Sequence, residues 1–420
     1  MKILIVGGNA GANFLVQKFL EYPEVEVVYH WAASNDEVST TRYMPLNLIT
    51  RRFYDFPDNL LLLLDVIEID LMVTVPLMFA LWKELQAKIA RKNIPTVMVS
   101  KLISKLEWSK TAGKKFLQEL EIPTPKSRQV SREDLIKEYF DIPRPFVIKY
   151  EQDWRAGQQT VIITDDNYEE EFGQLTSPKS TVRFTRGWVG NFKDQTFIVE
   201  EFVKGIREYS YHAISNAVNW QYIGTARDYK KRYDGDLGYN TVGMGCYSPV
   251  AIDECVHEYA DKIFNYLKTL GEPYRGVLYL GIMVKQDGTP VVLEINCRFG
   301  DPEIHTVLLS IKNNLPKLFL DIATDKELEP IEFHDHAAVA IRMVNKNYDC
   351  FNNETEYTPC DIWPVPPNIY MTINQERKLL NSVVSTTGES IDQASDILYQ
   401  YLQNKEMNDF TYRKDIGYLK

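Results

Sequence analysis

The stretch VVLEINCRFGDPE, Val291 to Glu303, reads as a buried strand that ends in a cluster of polar side chains. Alternate residues of a strand project from one face, so we expect Glu294 and Asn296 to lie side by side. A carboxylate and an amide oxygen on one face suit Mg2+, which takes oxygen ligands and is usually shared with phosphates. Arg298 follows on the same face and offers a planar fork of donors to a carboxylate or phosphoryl oxygen. A surface strand with scattered charges is the alternative, and the apolar run that opens the stretch disfavours it.

Length, charge and cysteine spacing limit the classes of protein that fit. A chain of 420 residues is too long for one core and predicts several domains. The net charge of -11 argues against broad binding to nucleic-acid polymers or membrane surfaces. The five cysteines form no CxxC pair and have no metal-type spacing with the six histidines, which indicates incidental thiols in a reducing compartment. The first residues, MKILIVGGN, are typical of a strand rather than a secretory signal, so we expect a cytoplasmic protein.

The order of helix and strand patterns divides the chain into four regions. Residues 1–98 alternate strand-like apolar runs with helix-like segments, which predicts a doubly wound α/β domain. Residues 123–195 form a separate short unit, and strand patterns dominate residues 196–326. A small α+β cap is expected over 327–420.

Two local patterns shape the expected core. Gln286 to Thr289 reads QDGT between two strand-like runs, which is a hairpin turn signal. A long helix is expected from about His305 to Ala323, closing the core before the cap begins.

Two further segments are compatible with a nucleotide site. Lys149 ends the strand-like PFVIK and precedes a polar loop, so it could contact phosphates, although a solvated lysine fits equally well. Backbone groups beside the strand IVEEFV, Ile198 to Val203, could bind an adenine edge, and the nearby Glu208 could hold ribose hydroxyls. Solubilising glutamates on an edge strand would give the same pattern.

The segment from Ala226 to Pro249 mixes basic residues, acidic residues and four glycines. A loop of this length inside a compact domain is usually functional. Its charges suit an anionic, phosphate-bearing intermediate beside an ammonium group. A flexible surface loop is the alternative, which the aromatic and apolar residues Tyr239, Val242 and Met244 disfavour.

The segment GGNAGANF, Gly7 to Phe14, opens a helix after the first strand. Glycines at a helix N-terminus favour bound anions. The full dinucleotide fingerprint and its acidic partner are missing, so we do not expect NAD to bind.

With these segments in this order, the chain resembles the phosphoribosylamine–glycine ligase family, also called glycinamide ribonucleotide synthetases, of the ATP-grasp superfamily. The resemblance covers nearly the whole chain and is carried by LEWSKTAGKKFLQELEIPTP, FIVEEFVKG, DGDLGYNTVGMGCYSP, VVLEINCRFGDPE and YRKDIGY. It implies an ATP-grasp fold with an N-terminal doubly wound α/β domain and a small C-terminal α+β cap. Within it, 99–122 and 196–326 would be the ATP-grasp core and 123–195 its lid.

The resemblance also implies a reaction and its site. ATP would convert glycine to an acyl phosphate, and an amine would displace phosphate to form an amide. ATP and Mg2+, with Mn2+ as a possible substitute, would be the cofactors, and the protein would be a monomer or homodimer in purine biosynthesis. The implied site residues are Lys110 and Lys149 at the ATP phosphates; Glu200, Glu201 and Val203 at adenine; Glu208 at the ribose; Glu294 and Asn296 at Mg2+; Arg298, Asp228, Asn240, Thr241 and Gly243 at glycine and its acyl phosphate; and Gly8, Asn9 and Lys414 at the acceptor.

Several positions depart from the family pattern and leave the amine acceptor open. The family's first turn reads Gly-Gly-Arg-Glu-His, whereas this chain has no arginine from Gly7 to Gly11. Val73 to Leu77 stands where the family has Gly-Pro-Glu, and Gln158 and Gln159 replace Lys-Gly in the lid loop. A glycine ligase with another acceptor, such as a modified nucleotide or sugar, and a non-catalytic ATP-binding protein are therefore alternatives. The candidate replacement cations are Arg42, Arg51 and Arg52.

Overall fold

The computed structural model describes most of the chain, in seven ranges: 1–31, 58–75, 77–151, 160–176, 196–346, 365–373 and 382–418. The interpretations of Arg42, Arg51 and Arg52, and of the lid-loop residues Gln158 and Gln159, concern residues outside these ranges. No helix in these ranges is long and apolar enough to cross a membrane.

A four-stranded parallel sheet forms the N-terminal part, in the order β2-β1-β3-β4. Its strands are continuous apolar runs, as is typical of parallel strands covered on both faces. The α/β alternation expected for residues 1–98 is confirmed. The elements are β1 (Lys2–Val6), α1 (Ala10–Phe19), β2 (Val27–Trp31), α2 (Asp58–Val66), β3 (Leu71–Thr74), a 3-10 turn (Leu77–Leu81), α3 (Lys83–Lys92) and β4 (Thr96–Val97).

Two consecutive helices, α4 (Lys101–Trp108) and α5 (Lys110–Glu119), follow this sheet. Ser109 separates them: it has extended backbone angles, and its hydroxyl accepts a hydrogen bond from the backbone N–H of Ala112 at 3.1 Å. This is an N-cap, which fixes where α5 begins.

The lid contains a four-stranded antiparallel sheet in the order β5-β8-β6-β7. Strand β8 pairs with both β5 and β6, so residues 196–201 lie in the lid sheet, although the sequence-based division placed them in the core. The division into domains otherwise stays a prediction. The elements are β5 (Ser127–Ser131), α6 (Arg132–Glu138), a 3-10 turn (Tyr139–Asp141), β6 (Phe146–Tyr150), β7 (Thr160–Ile163), α7 (Tyr168–Thr176) and β8 (Thr196–Glu201).

The central sheet of the molecule is antiparallel and carries the predicted hairpin. Gly288 takes a positive φ of 82° in the turn from Gln286 to Thr289, which joins the two strands of that hairpin. A separate two-stranded hairpin, the third and fourth strands of this region, lies in the chain between the second and fifth strands. The elements are β9 (Gly205–Asn216), β10 (Trp220–Asp228), β11 (Lys231–Tyr233), a 3-10 turn (Asp234–Asp236), β12 (Leu237–Asn240), β13 (Gly245–Ser248), α8 (Cys255–Thr269), β14 (Arg275–Lys285) and β15 (Pro290–Asn296).

The C-terminal strands extend the central sheet, because β16 pairs with β13 along its edge. A helix of 13 residues, α11, packs on these strands and covers one face of the extension. The elements are α9 (Ile304–Val307), a 3-10 turn (Leu308–Ser310), α10 (Leu315–Ala323), β16 (Ala337–Asn345), β17 (Tyr370–Ile373), β18 (Ser382–Gly388), α11 (Ile391–Gln403) and β19 (Phe410–Thr411).

The expected single helix from His305 to Ala323 is wrong, because α9 and α10 are separate. Asn314 has extended backbone angles, and its side chain accepts a hydrogen bond from the backbone N–H of Lys317 at 2.9 Å. Pro316 has no N–H to donate to the preceding turn. The capping residue and the proline together start a new helix.

Apolar packing joins the N-terminal sheet to the central sheet. Phe19 of α1 lies edge-on to Phe319 of α10, with ring centroids 5.3 Å apart, and Phe319 stacks at 6.3 Å on Phe299, just beyond β15. A Cβ atom at Gly11 would lie 3.2 Å from the side chain of Ile304. The start of α1 therefore packs beside the acidic turn that follows β15.

Candidate active site

The end of β15 carries a row of polar groups. Glu294 Oε2 lies 3.3 Å from Lys110 Nζ, and Asn296 Oδ1 accepts a hydrogen bond from Arg298 Nη2 at 3.3 Å. Strand alternation places both oxygen-bearing side chains on one face. The structure thus brings together the three residues that the sequence singled out and adds Lys110 to them.

Glu107 holds Arg298 in this row. Its carboxylate accepts from Arg298 Nε at 2.9 Å and from the backbone N–H of Cys297 at 2.6 Å, and its side chain is 7% exposed. Sequence reasoning missed Glu107, although the residue lies in the matching segment LEWSK. No local pattern reveals a contact across 190 residues.

A second missed residue, Lys114, lies one helical turn after Lys110 on the same face of α5. Its Nζ donates to the carbonyl of Leu293 at 2.8 Å and lies 3.3 Å from Glu200 Oε1. Lys149 Nζ lies 2.8 Å from the other oxygen of Glu200. The i, i+4 spacing of the two α5 lysines was the signal that could have found Lys114.

Burial and charge act in opposite directions on these groups. Burial would raise the pKa of Glu294, but Lys110 and Lys149 lie close by and hold it well below its ordinary value. Burial, followed by repulsion from Lys149, lowers the pKa of Lys114 to about 7, although Glu200 opposes this shift. The carboxylate of Glu294 is therefore charged at neutral pH and is available to a cation.

The residues expected around adenine and ribose have different surroundings. The carboxylate of Glu200 is buried against the two lysines, whereas the exposed Glu201 accepts from the backbone N–H of Lys126 at 3.1 Å. Val203 is buried just beyond β8. Glu208 is half-exposed and lies 2.9 Å from Lys230 Nζ.

The glycine-containing segment after β10 folds back on itself. The hydroxyl of Thr241 donates to the carbonyl of Lys230 at 2.9 Å and accepts from the backbone N–H of Gly243 at 3.0 Å. The amide of Asn240 donates to the carbonyl of Thr160 in the lid at 3.5 Å. The segment is thus not the single long loop that the sequence predicted: it contains the hairpin of β11 and β12 and contacts the lid, and its role at glycine stays a prediction.

Gly243 lies against two side chains. A Cβ atom there would be 2.7 Å from Asp228 Oδ1 and 2.6 Å from Pro302 Cδ, and its φ of 103° strains any other residue. Glycine is therefore required at this position both by its backbone angle and by its contacts.

A buried acidic pair lies beside Gly243. Burial, and then the carboxylate of Glu303, raises the pKa of Asp228 well above its ordinary value, while Lys230 opposes the shift. Burial also raises the pKa of Glu303. Within the described ranges, Asp228 Oδ1 has no hydrogen-bond partner. Sequence reasoning missed Glu303, the last residue of the segment VVLEINCRFGDPE.

The residues expected at the acceptor are dispersed. Asn9 caps α1, accepting from the backbone N–H of Ala12 at 2.9 Å, and the carbonyl of Gly7 contacts His30 Nε2 at 2.7 Å. Lys414 lines a cavity of about 500 Å3 with Tyr399, Tyr412 and other C-terminal residues. The acceptor roles of Gly8, Asn9 and Lys414 stay predictions.

The oxygen ligands at the end of β15 fit a hard cation. No group of three or more histidine, cysteine or acidic residues that could hold a metal ion occurs in the described part of the chain. Glu294 and Asn296 would therefore share Mg2+ with nucleotide phosphates, which is the usual way this ion is bound.

A family model for the phosphoribosylglycinamide synthetase ATP-grasp (A) domain matches residues 108–304. The phosphoribosylamine–glycine ligase of Leptospira interrogans is 30% identical over 355 residues, covering 78% of this chain and 79% of the relative. The corresponding ligase of Streptococcus pneumoniae is 26% identical over 437 residues and covers 99% of both chains.

Solved structures agree on the fold. The crystal structure of phosphoribosylamine–glycine ligase from Thermotoga maritima has a TM-score of 0.74 at 23% identity, covering 99% of this chain and all of the other. A biotin carboxylase from Campylobacter jejuni has a TM-score of 0.69 at 14% identity, covering 99% and 94%. The expected ATP-grasp fold is confirmed, and the ATP-dependent ligase class expected from the motifs is confirmed with it. The chain belongs to the phosphoribosylamine–glycine ligase family of ATP-grasp enzymes.

Proposed function

We propose that this protein joins glycine to phosphoribosylamine with ATP, releasing glycinamide ribonucleotide, ADP and phosphate. The main support for this proposal is the polar row at the end of β15, in which Lys110 contacts Glu294 and Arg298 contacts Asn296. The row offers cations to phosphate oxygens and oxygens to a metal ion in one line. This combination suits phosphoryl transfer to a carboxylate.

Charge and donor type support separate roles in that row. Lys110 and Lys149 would contact the ATP phosphates, and Glu294 and Asn296 would bind Mg2+, or Mn2+ in its place. The metal would neutralise charge on the phosphates during transfer. Glu201 and Val203 follow the buried Glu200 at the end of β8 and would lie along the adenine, with Glu208 at the ribose.

The chemistry needs positioning rather than a protein nucleophile. A carboxylate is a poor electrophile, so its oxygen first takes the γ-phosphoryl group and the acceptor amine then displaces phosphate. Arg298 has its Nε fixed by Glu107, which orients the remaining donors of its guanidinium. Those donors would stabilise the acyl phosphate, as oriented donors do for developing negative charge.

The buried pair of Asp228 and Glu303 would accept the ammonium group of glycine. Asp228 Oδ1 lacks a hydrogen-bond partner within the described ranges, and burying an unpaired acceptor is costly. An ammonium group would supply a donor to Oδ1, whereas Lys230 Nζ lies 3.6 Å from Oδ2. Thr241 and Asn240 would fix the segment that surrounds it.

Gly243→Ala should raise the KM for glycine at least about tenfold while nucleotide binding is retained, because the added methyl group would displace Asp228 and Pro302. Tenfold corresponds to about 1.4 kcal/mol, a modest cost for displacing such contacts. Steady-state kinetics with varied glycine measures it. Gly288→Ala is the matched control, because Gly288 also has a positive φ but no neighbour within 4 Å of an added Cβ. Equal effects of both variants would remove Gly243 from the glycine site.

Phosphoribosylamine is the proposed acceptor because relatives that carry this activity in their names match the chain from end to end. The altered first turn is the observation against it. Asn9, where the family has arginine, uses its side chain to cap α1. A charge-assisted hydrogen bond is worth about 1.5–3 kcal/mol. Its loss should therefore weaken the binding of a phosphorylated acceptor unless another cation compensates.

The direct test measures glycinamide ribonucleotide and ADP with ATP, glycine and freshly made phosphoribosylamine. We expect stoichiometric formation of both products, with a KM for phosphoribosylamine above that of ligases that have the arginine. We also expect the protein to support growth of a purine auxotroph that lacks its own ligase. ADP formation with glycine but without ribonucleotide product would favour another acceptor. No nucleotide turnover under any condition would favour the non-catalytic alternative.

A cytoplasmic location and a monomeric or homodimeric state complete the proposal. Both follow from the composition and the resemblance, and size-exclusion chromatography with light scattering tests the second.

A further inference from the structure

We propose that Lys114 is a positioning residue that keeps the nucleotide cleft positively charged and ties the lid to the core through Glu200. The proposal rests on the nucleotide cleft of the proposed function. Nothing in the expected site assigned a role to Lys114.

Lys114 contacts both parts of the molecule that form the cleft. On the core side, its Nζ donates to the carbonyl of Leu293 in β15 at 2.8 Å and to Thr124 Oγ1 at 3.1 Å. On the lid side, it lies 3.3 Å from Glu200 Oε1 in β8. One buried ammonium group therefore joins the lid sheet to the strand that carries the metal-binding row.

Glu200 is shared between two lysines. Lys149 Nζ lies 2.8 Å from Oε2, and the side chains of Glu200, Lys149 and Lys114 are 2%, 8% and 5% exposed. A buried carboxylate with one lysine would be a neutral pair. With two lysines, one positive charge remains uncompensated, and a buried unbalanced charge is costly.

The same excess holds for the wider cluster. Among the described residues, Lys110, Lys114 and Lys149 surround Glu200 and Glu294, and Lys230 also helps to lower the pKa of Glu294, so protonated lysines outnumber these two carboxylates. An anionic ligand relieves this imbalance, and the polyphosphate of a nucleotide is such a ligand. Lys114 creates this excess. Without Lys114, the negative charge of Glu200 would balance the positive charge of Lys149.

At pH 6, below the pKa of about 7 that burial gives Lys114, Lys114→Met should therefore weaken binding of Mg-ADP about tenfold, because it removes one positive charge while keeping most of the length of the side chain. Tenfold is about 1.4 kcal/mol, typical of one hydrogen bond to a charged group. Isothermal titration calorimetry with nucleotide alone measures it. Glycine and acceptor are absent, so a wrong acceptor assignment would leave this result unaffected. Lys115→Met is the matched control, because Lys115 is an exposed lysine on the same helix.

A double-mutant cycle with Glu200→Gln separates positioning from simple packing. If Lys114 acts through Glu200, its removal should cost less than about threefold in the Glu200→Gln background, since interacting residues are not additive. Circular dichroism and thermal unfolding establish that each variant is folded. If Lys114→Met does not fold, Thr124→Val removes one of the partners of Lys114 and should weaken Mg-ADP binding by a smaller factor. A loss below about twofold for the folded single variant, or equal losses in both backgrounds, would overturn the proposal.

Discussion

Glu294→Gln should nearly abolish ATP turnover while leaving the fold intact. Its carboxylate is held ionised by Lys110 and Lys149 and would bind Mg2+ together with Asn296. A neutral amide loses the charge that attracts the ion, and Lys110 loses its partner at 3.3 Å. Losing an outer-shell partner of a metal typically costs about 10- to 100-fold. We expect a larger fall in kcat for ADP formation here, because Glu294 would contact the ion directly.

A coupled assay of ADP release at several Mg2+ concentrations measures this effect. Asn296→Ala should show the same loss, because it removes the second oxygen of the row. Glu327→Gln is the control, since Glu327 is an exposed carboxylate elsewhere on the chain. Turnover like that of the unmodified protein at ordinary Mg2+ in both variants would remove these two residues from the metal site.

Arg298→Lys should lower kcat/KM for glycine on the order of a hundredfold. The guanidinium contacts Glu107 through Nε, Asn296 through Nη2 and the carbonyl of Phe299 through Nη1. A lysine is a single point charge and cannot contact Glu107 and an acyl phosphate at once. A hundredfold is about 2.7 kcal/mol, typical of one lost transition-state donor.

The control for Arg298→Lys is Arg275, whose guanidinium contacts a carboxylate through two of its nitrogens. Arg275 binds Asp325 through two nitrogens at the surface, so Arg275→Lys removes a similar geometry outside the cleft. Steady-state kinetics with varied glycine should show a large loss for the first variant and little change for the second. A change below about threefold at Arg298 would place the guanidinium outside the reaction site.

The sequence alone predicted the elements whose signals are local. Periodicity two in VVLEIN placed Glu294 and Asn296 on one face, and alternating patterns identified the N-terminal α/β sheet. The QDGT turn was found because glycine at a positive φ is a local requirement. The prediction of one helix from His305 to Ala323 was wrong because it followed the apolar content of the segment. The capping signal of Asn314 is also local, but it is weaker.

Contacts between distant segments could not be read from the chain. Glu107 meets Cys297 across 190 residues, and Lys114 meets Leu293 across 179. Nothing near Glu107 distinguishes it from a solvated charge on a helix, and the i, i+4 spacing from Lys110 indicates the helix face of Lys114 but not its partners. The pairing of Asp228 with Glu303 has the same origin, because it depends on how the segment after β10 packs against the turn after β15.

The family, the ligase chemistry and the placement of Glu294 and Asn296 on one strand face could be predicted from the sequence, because they follow from residue types at fixed short spacings. The tertiary structure alone decided which charges share a partner. Packing α5 along β15 buried Lys114 beside Glu200, and packing α4 beside the strand end gave Arg298 its carboxylate. Burial gives these ion pairs their effect on the site, since water no longer screens the charges. An apolar run predicts its own burial, but the burial of a charged side chain depends on contacts between segments that are distant in the sequence.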